Sequence, residues 1–187
     1  MKKTLTYLLG CLLILSMINC SKKEINPYLI SKSGIGNLTD STQVRHLNEL
    51  FPNDSISRFI GGDEFTGAIN DIEIYDTTGK LLLVLTPREA LDSTSTFKSV
   101  RIVDSRYITE SGLNVDSRFK DIVANYKISS VQNTLRSLVV SVDDMNAYFT
   151  IDKLELPANM RYDMTLKIDP IQIPDNARIR DFFIQWY

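Results

Sequence analysis

The chain has 187 residues, with 21 Lys and Arg against 23 Asp and Glu, and 43% of it is hydrophobic. That composition excludes disordered, collagen-like and coiled-coil proteins, and a formal charge of -2 lacks the basic surplus of a nucleic-acid binder, so no nucleic acid is expected as a partner. One His (His46) and two Cys (Cys11 and Cys20) are too few for a structural zinc site or a disulfide framework, and no metal or cofactor is expected.

Lys2 and Lys3 precede an apolar stretch over residues 5–18 that contains Leu8, Leu9, Leu12, Leu13, Ile14 and Leu15, which reads as a secretory signal peptide over 1–19. The stretch is shorter than the roughly 20 residues a membrane-spanning helix needs. Ser16-Met17-Ile18-Asn19-Cys20 resembles the lipobox of bacterial lipoproteins, with Asn19 where that motif usually carries Gly, Ala or Ser. The resemblance implies lipid attachment at Cys20, which becomes the acylated first residue and holds the protein on a membrane. Ser21 stands where lipoproteins kept at the inner membrane carry Asp, which implies the outer membrane. Lys22-Lys23-Glu24 supplies a single acid and matches an acidic surface-export tag poorly, so the periplasmic face is expected over the cell surface. Residues 20–33 read as lipidated Cys and tether, and residues 34–187 as one domain.

Within that domain two stretches share a pattern. Gly36 precedes Asp40-Ser41-Thr42 and then Val44, Leu47 and Phe51; Gly112 precedes Asp116-Ser117 and then Phe119, Ile122 and Tyr126. Each reads as a Gly turn, a Ser, Thr or Asp N-cap and a short amphipathic helix, followed by an extended piece over residues 55–60 or 127–132. Either a duplicated helix-strand unit or the shared physics of two capped helices produces such a likeness.

Ile72 and Ile74 share one face of a strand over residues 71–76, residues 77–80 supply turn chemistry, and residues 81–86 return as an almost wholly apolar strand. Thr86-Pro87-Arg88-Glu89 predicts a brief helix through Leu91, from a capping Thr, Pro at the first position and Glu at the third. Val100 and Ile102 follow, then Leu138, Val140 and Val142 paired across residues 143–146 with Tyr148, Phe149 and Ile151. Met164, Leu166 and Ile168 alternate, and residues 179–186 form a last strand. The expected fold class is α+β: two short helices packed on an antiparallel sheet, with two repeated helix-strand units suggested by the recurrence.

Few residues offer chemistry. Gly61-Gly62-Asp63-Glu64-Phe65 spells the diguanylate cyclase signature, but it sits soon after the tether with one helix before it, and an exported chain meets no GTP pool; a turn with two solvated acids is the better account. His46 falls between core positions Val44 and Leu47 and should face solvent, and no Gly-x-Ser-x-Gly elbow exists to pair with it. Asp143-Asp144 reads as hairpin turn chemistry before a carboxylate pair or calcium site. Trp186-Tyr187 reads as docking against the core before a barrel terminus.

Taken together, the lipobox, residues 34–42 (Gly34-Ile35-Gly36-Asn37-Leu38-Thr39-Asp40-Ser41-Thr42) and residues 102–119, from Ile102-Val103-Asp104 through Gly112-Leu113-Asn114 to Phe119, resemble the sigma-E-regulated lipoprotein family, envelope proteins built on a domain of unknown function. The likeness spans residues 34–152, lacks the paired cysteines of that family's second half, and brings no catalytic residues. The function expected is that of a non-enzymatic lipid-anchored envelope protein binding an unidentified envelope protein. A periplasmic small-ligand carrier or sensor is the alternative, and a cyclase a remote one.

Overall fold

The computed structural model describes residues 26–58 and 70–187; the signal peptide, Cys11, the lipobox with Cys20 and the Gly61-Gly62-Asp63-Glu64-Phe65 string lie outside the described residues. Short strands β1 (Leu29–Ile30), β2 (Gly34–Ile35), β3 (Leu38–Thr39) and β8 (Ile108–Thr109) form a four-stranded sheet ordered β3-β2-β1-β8, in which β1 and β8 run parallel. The larger sheet has eight strands, β4 (Ser55–Arg58), β5 (Ile72–Tyr75), β6 (Leu81–Pro87), β7 (Phe97–Ile102), β9 (Ser130–Asn133), β10 (Ser137–Val142), β11 (Ala147–Asp152) and β12 (Asp181–Gln185). Its order is β4-β5-β6-β7-β12-β11-β10-β9 and every neighbouring pair is antiparallel.

The α+β expectation is corrected by this arrangement: the protein is mostly β, and the two expected helices are a single turn α1 (Leu47–Leu50), entered through a 3-10 turn Val44–His46, and a seven-residue helix α2 (Phe119–Asn125), the other helical stretches among the described residues being single 3-10 turns. Two turns' worth of apolar spacing cannot sustain a helix in isolation, so packing sets the length of each. Neither is capped as expected. The Thr42 hydroxyl accepts from Thr39 N, while Val44 N and Arg45 N donate to Ser95 O and Ser93 O. At α2 the Asp121 carboxylate accepts from Arg118 N at 2.7 Å, and Phe119 N and Lys120 N donate to Ala177 O and Asp175 O.

What recurs in the chain is a helical segment followed by a four-stranded meander. β4-β5-β6-β7 and β9-β10-β11-β12 each follow a helical segment, and their last strands, β7 and β12, pair at the middle of the sheet. One row of side chains crosses all eight strands in register: Ile56, Ile74, Leu83, Ile102, Phe182, Phe149, Val140, Val131. Outward from the Ile102–Phe182 pair, Leu83, Ile74 and Ile56 on one side match Phe149, Val140 and Val131 on the other, so the sheet has an approximate two-fold axis at that pair. The six inner members of the row are almost fully buried. Phe149 and Phe182 stack at 4.6 Å between centroids with a 35° tilt, a geometry favourable to aromatic pairs.

The small sheet covers this face with Ile30, Ile35 and Leu38, helix α2 adds Phe119 and Ile122, and residues 153–180 add Leu156, Met160, Ile168, Ile173, Ala177 and Ile179. Residues 28–33, expected within the tether, therefore belong to the fold: Ile30 is buried and the Tyr28 ring meets Tyr107 edge-on at 5.2 Å. Residues 86–91, expected as a helix, instead extend β6 to Pro87, which pairs with Phe97 after a bulge and closes the strand where its missing N–H does no harm. Met164 is exposed and Ile168 buried, with no strand between them.

Both pattern glycines adopt positive φ, 57° at Gly36 and 82° at Gly112. A Cβ on Gly36 would fall 2.1 Å from Pro27 O, whereas one on Gly112 would meet nothing within 4 Å. Gly112→Ala should therefore cost about 1–2 kcal/mol of left-handed strain alone, and Gly36→Ala distinctly more, because backbone must also move. Chemical denaturation of the two variants checks the order.

Candidate functional site

The residues singled out from sequence do not converge. His46 sits partly exposed between buried Val44 and Leu47. Asp143 opens a 3-10 turn, Asp143–Met145, closed by Asn146 at φ 52°; its carboxylate accepts from the Ser129 hydroxyl at 2.7 Å and its carbonyl from Lys32 Nζ at 3.1 Å. Trp186 is buried, donating from Nε1 to Lys32 O at 3.2 Å, while Tyr187 is exposed. Among the described residues no group of His, Cys, Asp and Glu could hold a metal ion.

Two clusters of charge stand at one end of the large sheet instead. Because its strands alternate in direction, that end gathers the β5–β6 turn, the exit of β7, the β9–β10 turn, the end of β11 and the start of β12.

The first cluster is a clamp. Asp104, 1% exposed, follows β7 and accepts from Arg106 Nε at 2.9 Å, Arg106 Nη2 at 3.0 Å and Lys80 Nζ at 3.0 Å. Arg106 Nη2 also reaches Asp76 Oδ2 at 2.7 Å, and its guanidinium lies 5.5 Å over the Tyr28 ring. The other Asp76 oxygen accepts from Thr78 Oγ1, Thr78 N and Lys80 N, building the turn from its first residue. The Arg106 guanidinium holds the Asp104 carboxyl well below the usual carboxylate range, and the Thr78 hydroxyl followed by Arg106 does the same to Asp76. Arg106 is raised in turn, by Asp104 first and Asp76 second. These charges satisfy one another; the clamp ties the β5–β6 turn to the β7–β8 connection and to the entering chain.

The second cluster is open. A depression of about 390 Å³ is lined by Leu135 and Arg136 of the β9–β10 turn, Asp152, Lys153 and Leu154 at the end of β11, Arg161, Tyr162 and Arg180. Four cations line it against one acid. Lys153 is 5% exposed, and its Nζ has no hydrogen-bond partner among the described residues. Arg180 is only loosely paired, at 3.8 Å to Asp152 and 3.7 Å to Asp181, and Arg161 donates from Nε to the Leu156 carbonyl at 2.8 Å. Leu135, Leu154 and Tyr162 are 72%, 70% and 85% exposed around it.

Sequence reasoning did not find this basin, because its members are scattered from 135 to 180. One signal was present. Ala147, Phe149 and Ile151 mark the inward parity of β11, and Lys153 continues that parity with a charge.

No family model matches this chain. No curated protein matches it either. Among solved structures it resembles the uncharacterized protein yfeY from Escherichia coli, with a TM-score of 0.53 at 13% identity over 84% of this chain and 99% of that one. The fold is shared. The likeness carries nothing about activity.

The clamp makes acid sensitivity a test. Asp76 and Asp104 have folded pKa values below their unfolded ones, so their contribution is complete above about pH 4 and is lost as pH falls toward the folded values. Asp104→Ala should lower stability at pH 7 by about 2–3 kcal/mol, the worth of a buried charge-assisted set, and flatten the decline in thermal midpoint as pH falls below about 4. An unchanged slope would mean other carboxylates govern acid unfolding.

Proposed function

We infer that this chain is a lipid-anchored, non-enzymatic envelope protein: Cys20 is acylated after removal of residues 1–19, the lipid lies in the outer membrane facing the periplasm, and the folded part works by binding an envelope protein. The observation that carries the reading is the exit of the chain. The first described residues, Asn26 to Tyr28, leave at the end of the large sheet that holds the clamp, fixed by Tyr28 against Tyr107 and beneath Arg106. The six residues from Cys20 to Asn26 span at most ~20 Å. A lipid on Cys20 therefore keeps that end of the fold close to the bilayer. The lipobox, Ser21 and the resemblance to the sigma-E-regulated lipoproteins supply the membrane and its face.

The carrier alternative asks for an enclosed apolar pocket of roughly 300 Å³ or more. The apolar recess among the described residues, beside Val44, Ile72, Pro87 and Leu91, holds about 160 Å³ and is open. Binding at a surface fits the described residues better than enclosure.

Metabolic labelling with an alkynyl fatty acid, followed by membrane fractionation, tests the anchor. The natural chain should carry label and sediment with the outer membrane, and Cys20→Ala should lose both. In-cell crosslinking should then recover a partner protein with the anchored form and not with Cys20→Ala. Label retained by Cys20→Ala would sink the assignment of the anchor, and recovery of no protein would sink the interaction reading.

A further inference from the structure

The basin at the end of β11 has a charge that the fold does not require. The two-fold relation of the meanders, which matches Leu83 with Phe149 in the central row, carries two residues further to Leu85 and Ile151 and two more to Pro87 and Lys153. In the first half that inward position is the buried ring of Pro87 beside an apolar recess. In the second half the same place in the same architecture carries a buried ammonium without a partner among the described residues. An unpartnered buried ammonium is destabilising unless something anionic or polar meets it.

The neighbouring acids are engaged elsewhere, and the one other buried side-chain atom without a partner among the described residues is the neutral acceptor Asn133 Oδ1. Asp152 faces Arg180, and the Asp163 carboxylate, which feels the Lys153 charge only weakly, is engaged by the Thr165 hydroxyl and amide. Arg136 and Arg161 have no ion pair among the described residues. The chemistry that suits a depression lined by four cations is a phosphate or similar multivalent oxyanion, which accepts several charge-assisted hydrogen bonds at once. The rim adds a second requirement. Leu135, Leu154 and Tyr162 stand exposed beside the cations, so a bare ion would leave that apolar surface in water, whereas an amphiphile covers it.

We propose that this basin binds the phosphate headgroup of an anionic membrane lipid, with Lys153, Arg136, Arg161 and Arg180 on the phosphate and Leu135, Leu154 and Tyr162 against the glycerol and upper acyl carbons. Its place agrees with that occupant. The β9–β10 turn and the end of β11 lie at the same end of the sheet as the clamp and the exit of Asn26 to Tyr28. The basin thus faces the bilayer if Cys20 is acylated, and in its orientation alone the inference rests on the proposed anchor. Headgroup binding sets how the domain sits on the membrane and leaves the opposite end of the sheet to a protein partner.

The test uses the full chain with Cys20→Ala, so that binding does not depend on acylation. Its co-sedimentation with phosphatidylglycerol-containing vesicles is compared with that on phosphatidylcholine vesicles. Against that chain, Lys153→Met should lower the phosphatidylglycerol-dependent partition coefficient about tenfold, as should Arg136→Ala combined with Arg161→Ala, with far-UV circular dichroism and the thermal midpoint of each variant checking that it is folded, because Arg161 also donates to the Leu156 carbonyl. Inorganic phosphate at constant ionic strength should not release the chain. Equal partition of unaltered and basin variants overturns the proposal. Release by inorganic phosphate also overturns it, in favour of a free-anion site. The anchor is read separately by fatty-acid labelling of the natural chain, so an unlabelled chain whose vesicle binding still depends on Lys153 would leave the basin standing and remove the anchor.

Discussion

The fold depends on one pairing made late in the chain. Strand β12 lies between β7 and β11, and Phe182 meets Ile102 on one side and Phe149 on the other. Without it the eight-stranded sheet separates into β4 to β7 and β9 to β11, and the inner row loses its continuity at its most buried point. The pairing joins residues about 80 positions apart, so it incurs a large loop-closure entropy, and no single hairpin can stand in for it. Its ends are tied down as well. Trp186 donates to Lys32 O, and Arg88 Nη2 donates to Trp186 O at 2.7 Å, locking the C-terminal strand to the small sheet and to the β6–β7 connection.

Much of the large sheet could be read from local chemistry. Alternation in residues 71–76 and 138–151 identifies β5, β10 and β11 because each has one buried face, and Asp76 and Gly79, with φ of 81°, give the β5–β6 turn its hydrogen bonds and its left-handed residue. The helical segments were overstated for a physical reason. A Gly turn followed by apolar residues at spacings of three and four describes equally a helix of two turns and a single turn whose N–H groups are taken by another segment, as Val44 and Arg45 are by Ser95 and Ser93. Pro87 misled in the same manner, since its ring suits the first turn of a helix and the end of a strand alike. Two-residue strands such as β1 carry no periodicity at all, and only the burial of Ile30 places them in the fold.

The two charge clusters illustrate why perturbed carboxylates need not mark a functional site. Asp76 and Asp104 are the most strongly shifted acids, yet every shift traces to a partner inside the clamp, and the cluster carries two acids against Lys80 and Arg106. Such a balanced group stabilises and has little left to offer a ligand. Lys153 shows the reverse: it stands out through geometry, a buried charge at an inward position with no partner among the described residues. For binding, the unpaired group is the more informative of the two.

Two-fold architecture gives that difference a direction. An axis normal to the sheet sends equivalent turns to opposite ends, so any divergence between the halves becomes a difference between the two ends of the molecule. At the end opposite Asn26 lie Asp143 and Asp144 of the β10–β11 turn and Glu89 and Asp92 of the β6–β7 connection, together with the cations Lys32 and Arg88, which donate to backbone carbonyls. At the Asn26 end the clamp pairs its charges internally, with Asp54 near enough to feel Asp76 and Arg106, and the basin gathers four cations against Asp152. The basin is therefore a local concentration of cations and exposed apolar side chains at one end of a chain whose formal net charge is only -2. Near an anionic surface such a distribution exerts a torque within roughly a Debye length of about 8–10 Å, turning the basin inward and the hairpin outward. A lipid anchor alone would fix only distance from the membrane; the basin is what would also fix orientation, leaving the opposite end presented to whatever the domain meets.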